Sequence, residues 1–395
     1  MFLMVTLLGC GRVFSSRLNW DLRPNPLSAL LAEKRRAGVH VWDLTESNPT
    51  RAGFKYPQEE VLAALADARS LRYDPSPRGL EPAREAVSEY YAARGVRVET
   101  SRILLTSSTS EAYAYLSKLL ADPGDEILVP RPSYPLFEFL AAMESVGVRQ
   151  YPLRYDGAWH IDLDALAGAI TARTRAVVVV NPNNPTGSFL KHDELARLDA
   201  LASASGFAIL SDEVFSDYAF VSDPLRSVIG ARCALTFAMS GLSKVAGLPQ
   251  MKLGWIVASG LNHELALSRL ELIADTYLSV ATPVQVALPR LLAVSAAVRN
   301  QILDRTRANL ESLRHAMAGS VFHVLGVEGG WYAVIQAPRT RSEEEWALAL
   351  LGRRDLLVQP GYFFDFESEA YLVVSLLTAP EVFEEGLRRL IAEMI

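Results

Sequence analysis

An asparagine, an aspartate and a lysine of this 395-residue chain each follow closely on an apolar stretch. Asn184, Asp212 and Lys244 come two to six residues after stretches that end at residues 180, 210 and 238. A lysine amine can bond covalently to an aldehyde, a carboxylate can keep a ring nitrogen protonated, and an amide can donate a hydrogen bond. Turns and helix caps also use asparagine and aspartate, so each residue alone is ambiguous. A lysine after a buried strand is unusual for a surface charge.

A fourth polar segment covers residues 106–111 and follows the apolar residues 103–105. Ser108 and Glu111 have the spacing of a capping box, which predicts a helix that begins at Thr109. Free N–H groups at such a helix start bind phosphate, and the hydroxyls of Thr109 and Ser110 can add donors. An ordinary capped helix without a ligand is the alternative for this segment.

The elements that must position these segments alternate along the chain. Apolar runs predict strands, and amphipathic stretches between them predict helices, which together indicate βαβ units and a mostly parallel sheet. In such sheets ligands bind beyond the carboxyl ends of the strands, where the four polar segments stand. The predicted strands are 103–105, 126–129, 176–180, 207–210 and 234–238, and the predicted helices include 59–68, 82–94, 111–120 and those that start at 134 and 192.

The pattern changes after about residue 290, where long helices precede a hairpin-like end. We therefore predict a large domain over residues 53–290 and a smaller α+β domain built from residues 13–52 and 291–395. Residues 1–12 are mostly apolar, and they imitate both a lipoprotein signal and a dinucleotide fingerprint. No Lys or Arg precedes the apolar run, the run is too short to span a bilayer, and the third glycine of the fingerprint is missing, so a disordered tail or an extended start site is the favoured interpretation.

Composition excludes several classes of function. Half of the residues are hydrophobic, and the formal net charge is −6 without runs of Lys or Arg, so we expect no nucleic-acid partner and no membrane association. The two cysteines cannot form a disulfide framework, which fits the reducing cytoplasm. We assign no metal ligands.

Together the four segments offer a phosphate cup, an amide donor, a carboxylate and an amine. A cofactor with a phosphate, a phenolic oxygen, a pyridine nitrogen and an aldehyde would use all of them, and pyridoxal 5′-phosphate (PLP) is such a cofactor. The sequence resembles the class I/II aminotransferases, which are fold-type-I PLP enzymes, from residues 43–49 to the final helix. Residues 181–187 match the family motif NPxNPTG, and Asn184, Asp212 and Lys244 are 28 and 32 positions apart, in the family's order.

The resemblance implies the catalytic roles. Lys244 resembles the lysine that bonds to the cofactor aldehyde and later moves a proton, and Asp212 resembles the partner of the pyridine nitrogen. Asn184 matches the donor to the phenolic oxygen, and Tyr134 matches the aromatic residue that stacks on the ring.

The resemblance also implies how the cofactor phosphate is held. Thr109 and Ser110 match the phosphate cup, and Lys252 stands where the family usually has a phosphate-binding arginine. Tyr73 resembles the tyrosine that reaches the phosphate of the neighbouring subunit, which implies a homodimer with shared active sites.

Three residues depart from the family pattern. Phe215 stands where many members have a tyrosine, and Gly241 replaces a serine, for which Ser240 and Ser243 are the candidate substitutes. Val373 falls where the family carries the arginine that grips the substrate α-carboxylate. Arg51 could replace that arginine, or the substrate could lack a free α-carboxylate, as an amine or amino sugar does, or the alignment could slip here.

The predicted function is a PLP-dependent aminotransferase that moves an amino group from an amino acid or amine to a 2-keto acid by a ping-pong mechanism. Phe215 and Val373 leave open other PLP chemistry, such as a β-lyase, a decarboxylase or a condensing enzyme. A PLP-binding regulatory module is a third hypothesis, although only about 40 residues precede the motif at residue 43.

Overall fold

The structure is a computed structural model that describes residues 13–231, 233–368 and 370–393. The predicted tail, residues 1–12, lies outside the described residues. The helices are α1 Pro26–Arg36, α2 Gln58–Leu65, α3 Glu81–Ala92, α4 Thr109–Leu120, α5 Leu136–Met143, α6 Leu163–Ala169, α7 His192–Ser205, α8 Leu242–Val245, α9 His263–Tyr277, α10 Thr282–Met317, α11 Glu343–Arg354 and α12 Pro380–Ala392. The strands are β1 Trp42–Asp43, β2 Ile103–Thr106, β3 Glu126–Arg131, β4 Gly147–Tyr155, β5 Trp159–Ile161, β6 Thr174–Val180, β7 Ala208–Asp212, β8 Thr236–Gly241, β9 Gly254–Ser259, β10 His323–Val324, β11 Tyr332–Gln336, β12 Leu356–Leu357, β13 Gln359–Pro360 and β14 Tyr371–Ser375.

The largest sheet in the described residues has eight strands in the order β2-β9-β8-β7-β6-β3-β4-β5. Pairs from β8 through β7, β6 and β3 to β4 are parallel, whereas β9 is antiparallel to both β8 and β2. This mostly parallel sheet confirms the predicted α/β class. Because β9 is antiparallel to both of its neighbours, β2 and β8 run in the same direction.

Both faces of this sheet are buried, which explains why its central strands are apolar without alternation. In β6, Val177 and Val179 pack in one hydrophobic cluster, whereas Ala176 and Val178 pack in the cluster on the opposite face. Helix α7 covers the first face through Leu195 and Leu198, and α4 and α9 cover the second.

A four-stranded antiparallel sheet in the order β10-β11-β14-β13 forms the second unit. Its core also contains α10, α11 and α12, and β1 pairs with β12, so residues from both ends of the described chain meet here. Helix α10 runs without interruption through residue 290, where the sequence analysis placed the domain boundary. Its first turns pack on the large sheet and its last turns pack in the second core.

In the large sheet, the strands β4, β5 and β9 were not predicted. β4 contains Pro152 and charged residues, which are typical of strands near a sheet edge, and its burial alternates along part of its length. Helix α5 begins at Leu136 rather than at Tyr134, because Pro135 stands at its N-cap. Strand β7 extends to Asp212, so that aspartate is the last residue of the strand rather than a residue beyond it.

Among the described helices, none is both long and apolar enough to cross a membrane.

Candidate active site

The carboxyl ends of β2, β6, β7 and β8 lie at one edge of the large sheet, because these strands share one direction. At the same edge β9 begins, and its first residue, Gly254, pairs with both Thr106 and Gly241. The four polar segments and Lys252 therefore converge, although they are spread over about 150 residues of sequence.

A cavity of about 410 Å³ opens at this edge, a size typical of small-molecule sites. Part of its wall comes from residues that the sequence analysis did not select, including Ser47, Tyr113, Tyr332 and Gln359. The lining also contains these residues selected from the sequence: Thr109, Ser110, Tyr134, Asn184, Asp212, Lys244 and Lys252.

Lys244 lies in the short helix α8, directly after β8, and its ammonium group has mostly apolar surroundings. The Nζ atom lies 4.9 Å from the ring centroid of Trp331 and 5.6 Å from that of Phe215. Burial disfavours the charged amine and lowers the pKa of Lys244 to about 8, although the Asp212 carboxylate opposes this shift. Tyr218 fixes the backbone by donating from Oη to the Lys244 carbonyl at 2.5 Å. An amine with this pKa is a usable nucleophile and base near neutral pH.

Asp212 ends β7 on the floor of the cavity, where it accepts two hydrogen bonds. Its Oδ2 accepts from Tyr113 Oη at 3.3 Å, and its Oδ1 accepts from the Val214 N–H at 3.2 Å. Burial nevertheless raises the pKa of Asp212 to about 6, because the two hydrogen bonds and Lys244 offset the desolvation only in part. A carboxylate in this position gains from a nearby cationic N–H.

The N-terminus of α4 forms another wall of the cavity. Ser108 caps this helix: its Oγ accepts from the Glu111 N–H at 3.2 Å, which confirms the predicted start at Thr109. The Glu111 carboxylate accepts from Ser107 N–H at 2.7 Å instead of from the cap residue, so the capping box is only half formed. The remaining first-turn N–H groups and the two hydroxyls face a site suited to an anion.

Asn184 is held by the rigid segment 181–187. Asn181 Nδ2 donates to the Leu225 carbonyl at 2.6 Å, and Asn183 Nδ2 donates to Thr186 Oγ1 at 2.9 Å. Asn184 is different, since its side-chain Oδ1 is buried without a hydrogen-bond partner. Because the side chain lines the cavity, its amide is a group that a ligand could satisfy.

Tyr73 and Arg51 do not line the cavity. Tyr73 is 73% exposed, and Arg51 is exposed in the turn after Asn48, whose carbonyl accepts from the Arg51 N–H at 3.0 Å. Tyr134 and Lys252 lie at the cavity but are exposed, Lys252 with a left-handed backbone (φ 48°).

Comparison with known proteins identifies the family. The model of the family "Aminotransferase class I and II" matches residues 39–390. The chain belongs to the class I and II aminotransferases. It is 26% identical to the glutamate-pyruvate aminotransferase AlaA of Haemophilus influenzae, with 94% of each chain covered, and 27% identical to the tyrosine aminotransferase of Bos taurus, with 94% of this chain and 88% of the relative covered.

Solved structures agree in fold. An alanine aminotransferase from Pyrococcus furiosus matches with a TM-score of 0.87 at 23% identity, covering 96% of this chain and 99% of that one. An aminotransferase from Escherichia coli matches with a TM-score of 0.83 at 25% identity over 96% of this chain and 97% of that one. These matches confirm the predicted fold-type-I architecture, and the family is generally PLP-dependent.

The aminotransferase has no space for a side chain at Gly241. A Cβ atom built there would lie 2.9 Å from both the Cα of Gly254, the first residue of the paired strand β9, and the carbonyl oxygen of Leu253, which precedes that strand. Of the two serines weighed as substitutes, Ser243 lines the cavity, whereas Ser240 is buried in β8 with its Oγ unpartnered. Ser243 is therefore the hydroxyl available to a ligand.

Replacing Gly241 by serine is expected to lower the free energy of unfolding by about 1–3 kcal/mol, because the clash is with backbone that must shift. Gly168→Ala is the matched control, since Gly168 is exposed in α6 and an added Cβ there meets nothing within 4 Å. That control should stay within about 0.5 kcal/mol of the wild type or stabilise it. Urea denaturation measures both, and equal stabilities for the two variants would contradict the packing argument.

The candidate site also contains residues that sequence reasoning missed. Tyr113, one turn into α4, donates to Asp212, and Trp331 and Tyr332 come from the second unit. Gln359 in β13 pairs in register with Val373 in β14 and lines the cavity. The doublet Gly329-Gly330 was the only sequence signal near Trp331, and it indicated a turn rather than a site.

Proposed function

We propose that this chain binds PLP in the cavity and transfers an amino group from an amino donor to a 2-keto acid. The observation that carries the proposal is that one cavity combines the Lys244 amine, the Asp212 carboxylate and the N-terminus of α4. These groups suit the aldehyde, the ring nitrogen and the phosphate of a single molecule.

The residues fit the cofactor by an independent criterion. Asn184 lines the cavity: its Nδ2 is the atom that can donate to the phenolic oxygen, whereas its buried, unpartnered Oδ1 can only accept, from a hydroxyl or water. Lys252 adds positive charge beside the phosphate cup, because Gly254, two residues on, lies against the backbone of Ser108. The compact charge of the lysine ammonium group suits a phosphate, although it does not offer the bidentate hydrogen bonds of an arginine.

When bound, PLP supplies a ring that accepts electrons released at the amine-bearing carbon of the substrate. Lys244 is placed to hold the aldehyde and then to move the proton of that carbon, since its pKa of about 8 leaves part of the amine uncharged at neutral pH. Asp212, ionised above about pH 6, keeps a proton on the ring nitrogen. Tyr134 lines the cavity and can stack on the ring.

We also propose a homodimer with shared sites in the cytoplasm. Tyr73 is 73% exposed and lies outside the cavity of its own chain, which supports a role at a neighbouring subunit's site. The exposed free thiol of Cys233 suits a reducing compartment. Sedimentation equilibrium measures the stoichiometry, and a monomer at micromolar concentration would contradict the shared site.

A second candidate is PLP-dependent elimination or decarboxylation. Phe215 places a ring without a hydroxyl beside Lys244, and Val373 is fully buried where the carboxylate-binding arginine is expected. Release of ammonia and pyruvate from a donor, with no keto acid present, would favour this candidate.

The half-reaction tests the proposed function. Protein loaded with PLP is mixed with single amino acids, amines and amino sugars, and the visible absorbance of the bound cofactor is followed. At least one donor is expected to convert the cofactor from its aldehyde to its amine form, and a 2-keto acid should restore the starting spectrum. If no donor changes the spectrum, amino transfer by this chain is refuted.

A further inference from the structure

We propose that the carboxylate of Asp217 positions the side chain of Lys244. It does so by holding the turn after β7, residues 213–219, through a buried ion pair with Arg94. Asp217 does not line the cavity, so it is a positioning residue rather than a catalytic one. The inference rests on the proposed function for its kinetic consequence, whereas the contacts that carry it all lie within one chain.

The turn after β7 contacts Lys244 at both its amine and its backbone. The Phe215 ring centroid lies 5.6 Å from the Nζ atom, and Tyr218 Oη donates to the Lys244 carbonyl at 2.5 Å. In the same turn, the Val214 N–H donates to Asp212 Oδ1 at 3.2 Å. A displacement of this one segment would therefore change the surroundings of the amine and of the neighbouring carboxylate together.

The same turn orients Trp331, the other aromatic side chain beside the amine. The Tyr218 carbonyl accepts from the Gly330 N–H at 2.8 Å. The rings of Phe215 and Tyr218 each meet the Trp331 ring edge to face, with centroids 5.1 Å apart in both pairs. Because Trp331 lies 4.9 Å from the Nζ atom of Lys244, these packed rings keep water away from the amine.

Asp217 and Arg94 belong to a buried polar cluster. Their side chains are 7% and 11% exposed, and Arg94 Nε lies 3.3 Å from Asp217 Oδ1. Tyr90 Oη donates to Asp217 Oδ2 at 2.9 Å, and Arg299 in α10 places a second cation 3.9 Å from that oxygen. Arg94 also donates from Nη2 to Ser216 Oγ at 2.6 Å. The cluster therefore ties the turn to the end of α3 and to α10.

Two roles for Asp217 predict opposite changes in the pKa of Lys244. Burial lowers this pKa from 10.5 to about 8, and the Asp212 carboxylate opposes the shift. If Asp217 acted only through its negative charge, removing that charge would lower the pKa further, because the ammonium form would lose an attraction. If Asp217 holds the turn, removing its charge lets the turn move and water reach the amine, so the pKa rises. The sign therefore decides between the two roles.

The test is the pKa of Lys244 in the cofactor-free full chain of wild type and Asp217→Asn. It is measured from the pH dependence of acetylation by trace acetic anhydride, relative to an added reference amine, with peptide mass spectrometry locating the label. In Asp217→Asn the pKa is expected to rise from about 8 to about 9, which makes acetylation of Lys244 about fivefold slower at pH 8.

A second variant keeps the test decisive if Asp217→Asn does not fold. Tyr90→Phe removes one hydrogen bond to Asp217 and no charge, and it is expected to raise the pKa of Lys244 by about 0.5. Circular dichroism establishes which variants are folded. An unchanged or lowered pKa of Lys244 in Asp217→Asn, or in Tyr90→Phe if the first variant is unfolded, would overturn the inference.

Glu393→Gln is the matched control. Glu393 is also a buried carboxylate, 2% exposed at its side chain, and it pairs with Arg341 at 2.9 Å and Arg354 at 3.0 Å in the second unit. Loss of its charge destabilises the fold in a comparable way, but the pKa of Lys244 should stay within about 0.2 of the wild-type value. An equal rise in this control would show general loosening of the fold and overturn the positioning role.

Kinetics of the PLP-loaded proteins connect the turn to amino transfer. Asp217→Asn is expected to lower kcat about tenfold with KM within about twofold of wild type, because the turn acts on the amine that moves the proton. Glu393→Gln should keep both constants within about twofold. If the wild type reacts with no donor, the proposed function is refuted, whereas the acetylation of Lys244 still decides whether Asp217 positions it.

Discussion

Replacing Lys244 by alanine is expected to lower kcat for amino transfer by at least about 10⁴-fold. The variant loses both the amine that bonds to the cofactor and the base that moves the substrate proton, and proton transfer alone contributes up to about 10⁴-fold. No second lysine can take its place, because Lys252, the other lysine that lines the described cavity wall, lies at the phosphate end. Steady-state kinetics with the best donor of the panel measure the loss.

Two controls separate chemistry from binding. Lys118→Ala removes a lysine whose amine pairs with Glu144 on the surface, and it should change kcat by no more than about twofold. Borohydride reduction followed by peptide mass analysis should place the cofactor on Lys244 in the wild type, whereas the Lys244→Ala protein should still retain PLP through dialysis without a covalent adduct. Turnover of Lys244→Ala above about 1% of wild type would contradict the role assigned to this lysine.

The site residues that the sequence predicted are those whose position depends only on where a single strand ends. Asn184 and Lys244 follow apolar strands and Asp212 ends one, and because these strands run in one direction, strand order was not needed to bring the three residues to one edge. The start of α4 was readable for a similar reason, since Ser108 and Glu111 act within one turn.

The missing parts depend on packing between distant segments. Gln359 reaches the cavity only because β13 pairs with β14, and Trp331 reaches Lys244 only because the turn before it lies against Tyr218. Tyr113 is one of the two aromatic residues of α4, with Tyr115, and its contact with Asp212 depends on the rotation of that helix about its axis on the sheet. Such contacts have no local signal in the sequence.

Replacing Asp212 by asparagine is expected to lower kcat by about 10³-fold, because a neutral amide no longer holds the proton on the ring nitrogen. The same substitution should raise the stability of the cofactor-free protein. Folding raises the pKa of Asp212 from 3.8 to about 6, so the folded state holds this proton more tightly than the unfolded state. Ionisation of the carboxylate therefore destabilises the fold.

The sign of this effect fixes its pH window. Below about pH 4 the carboxyl is protonated in both states and contributes no penalty, and the penalty grows as the pH rises from 3.8 to about 6 and stays constant above. This pKa shift corresponds to a loss of at most about 3 kcal/mol in the free energy of unfolding. Because the cavity is open to solvent, which screens the charge, the expected loss is about 1–2 kcal/mol. Asparagine has no charge to desolvate, so the substitution removes this penalty. Part of the stability gained is lost again, because the NH₂ group of asparagine faces a hydrogen-bond donor.

Thermal denaturation of the cofactor-free proteins at pH 4, 5, 6, 7 and 8 tests both statements. The Tm of Asp212→Asn relative to wild type should rise between pH 4 and 6 and then level off, and addition of PLP should reverse the order by stabilising the wild type more. Tyr113→Phe is the matched control: it keeps the carboxylate, loses one donor, and should raise the pKa of Asp212 further while lowering kcat only a few-fold. A Tm difference that does not vary with pH, or activity of Asp212→Asn above about 10% of wild type, would show that the buried charge is not what this position contributes.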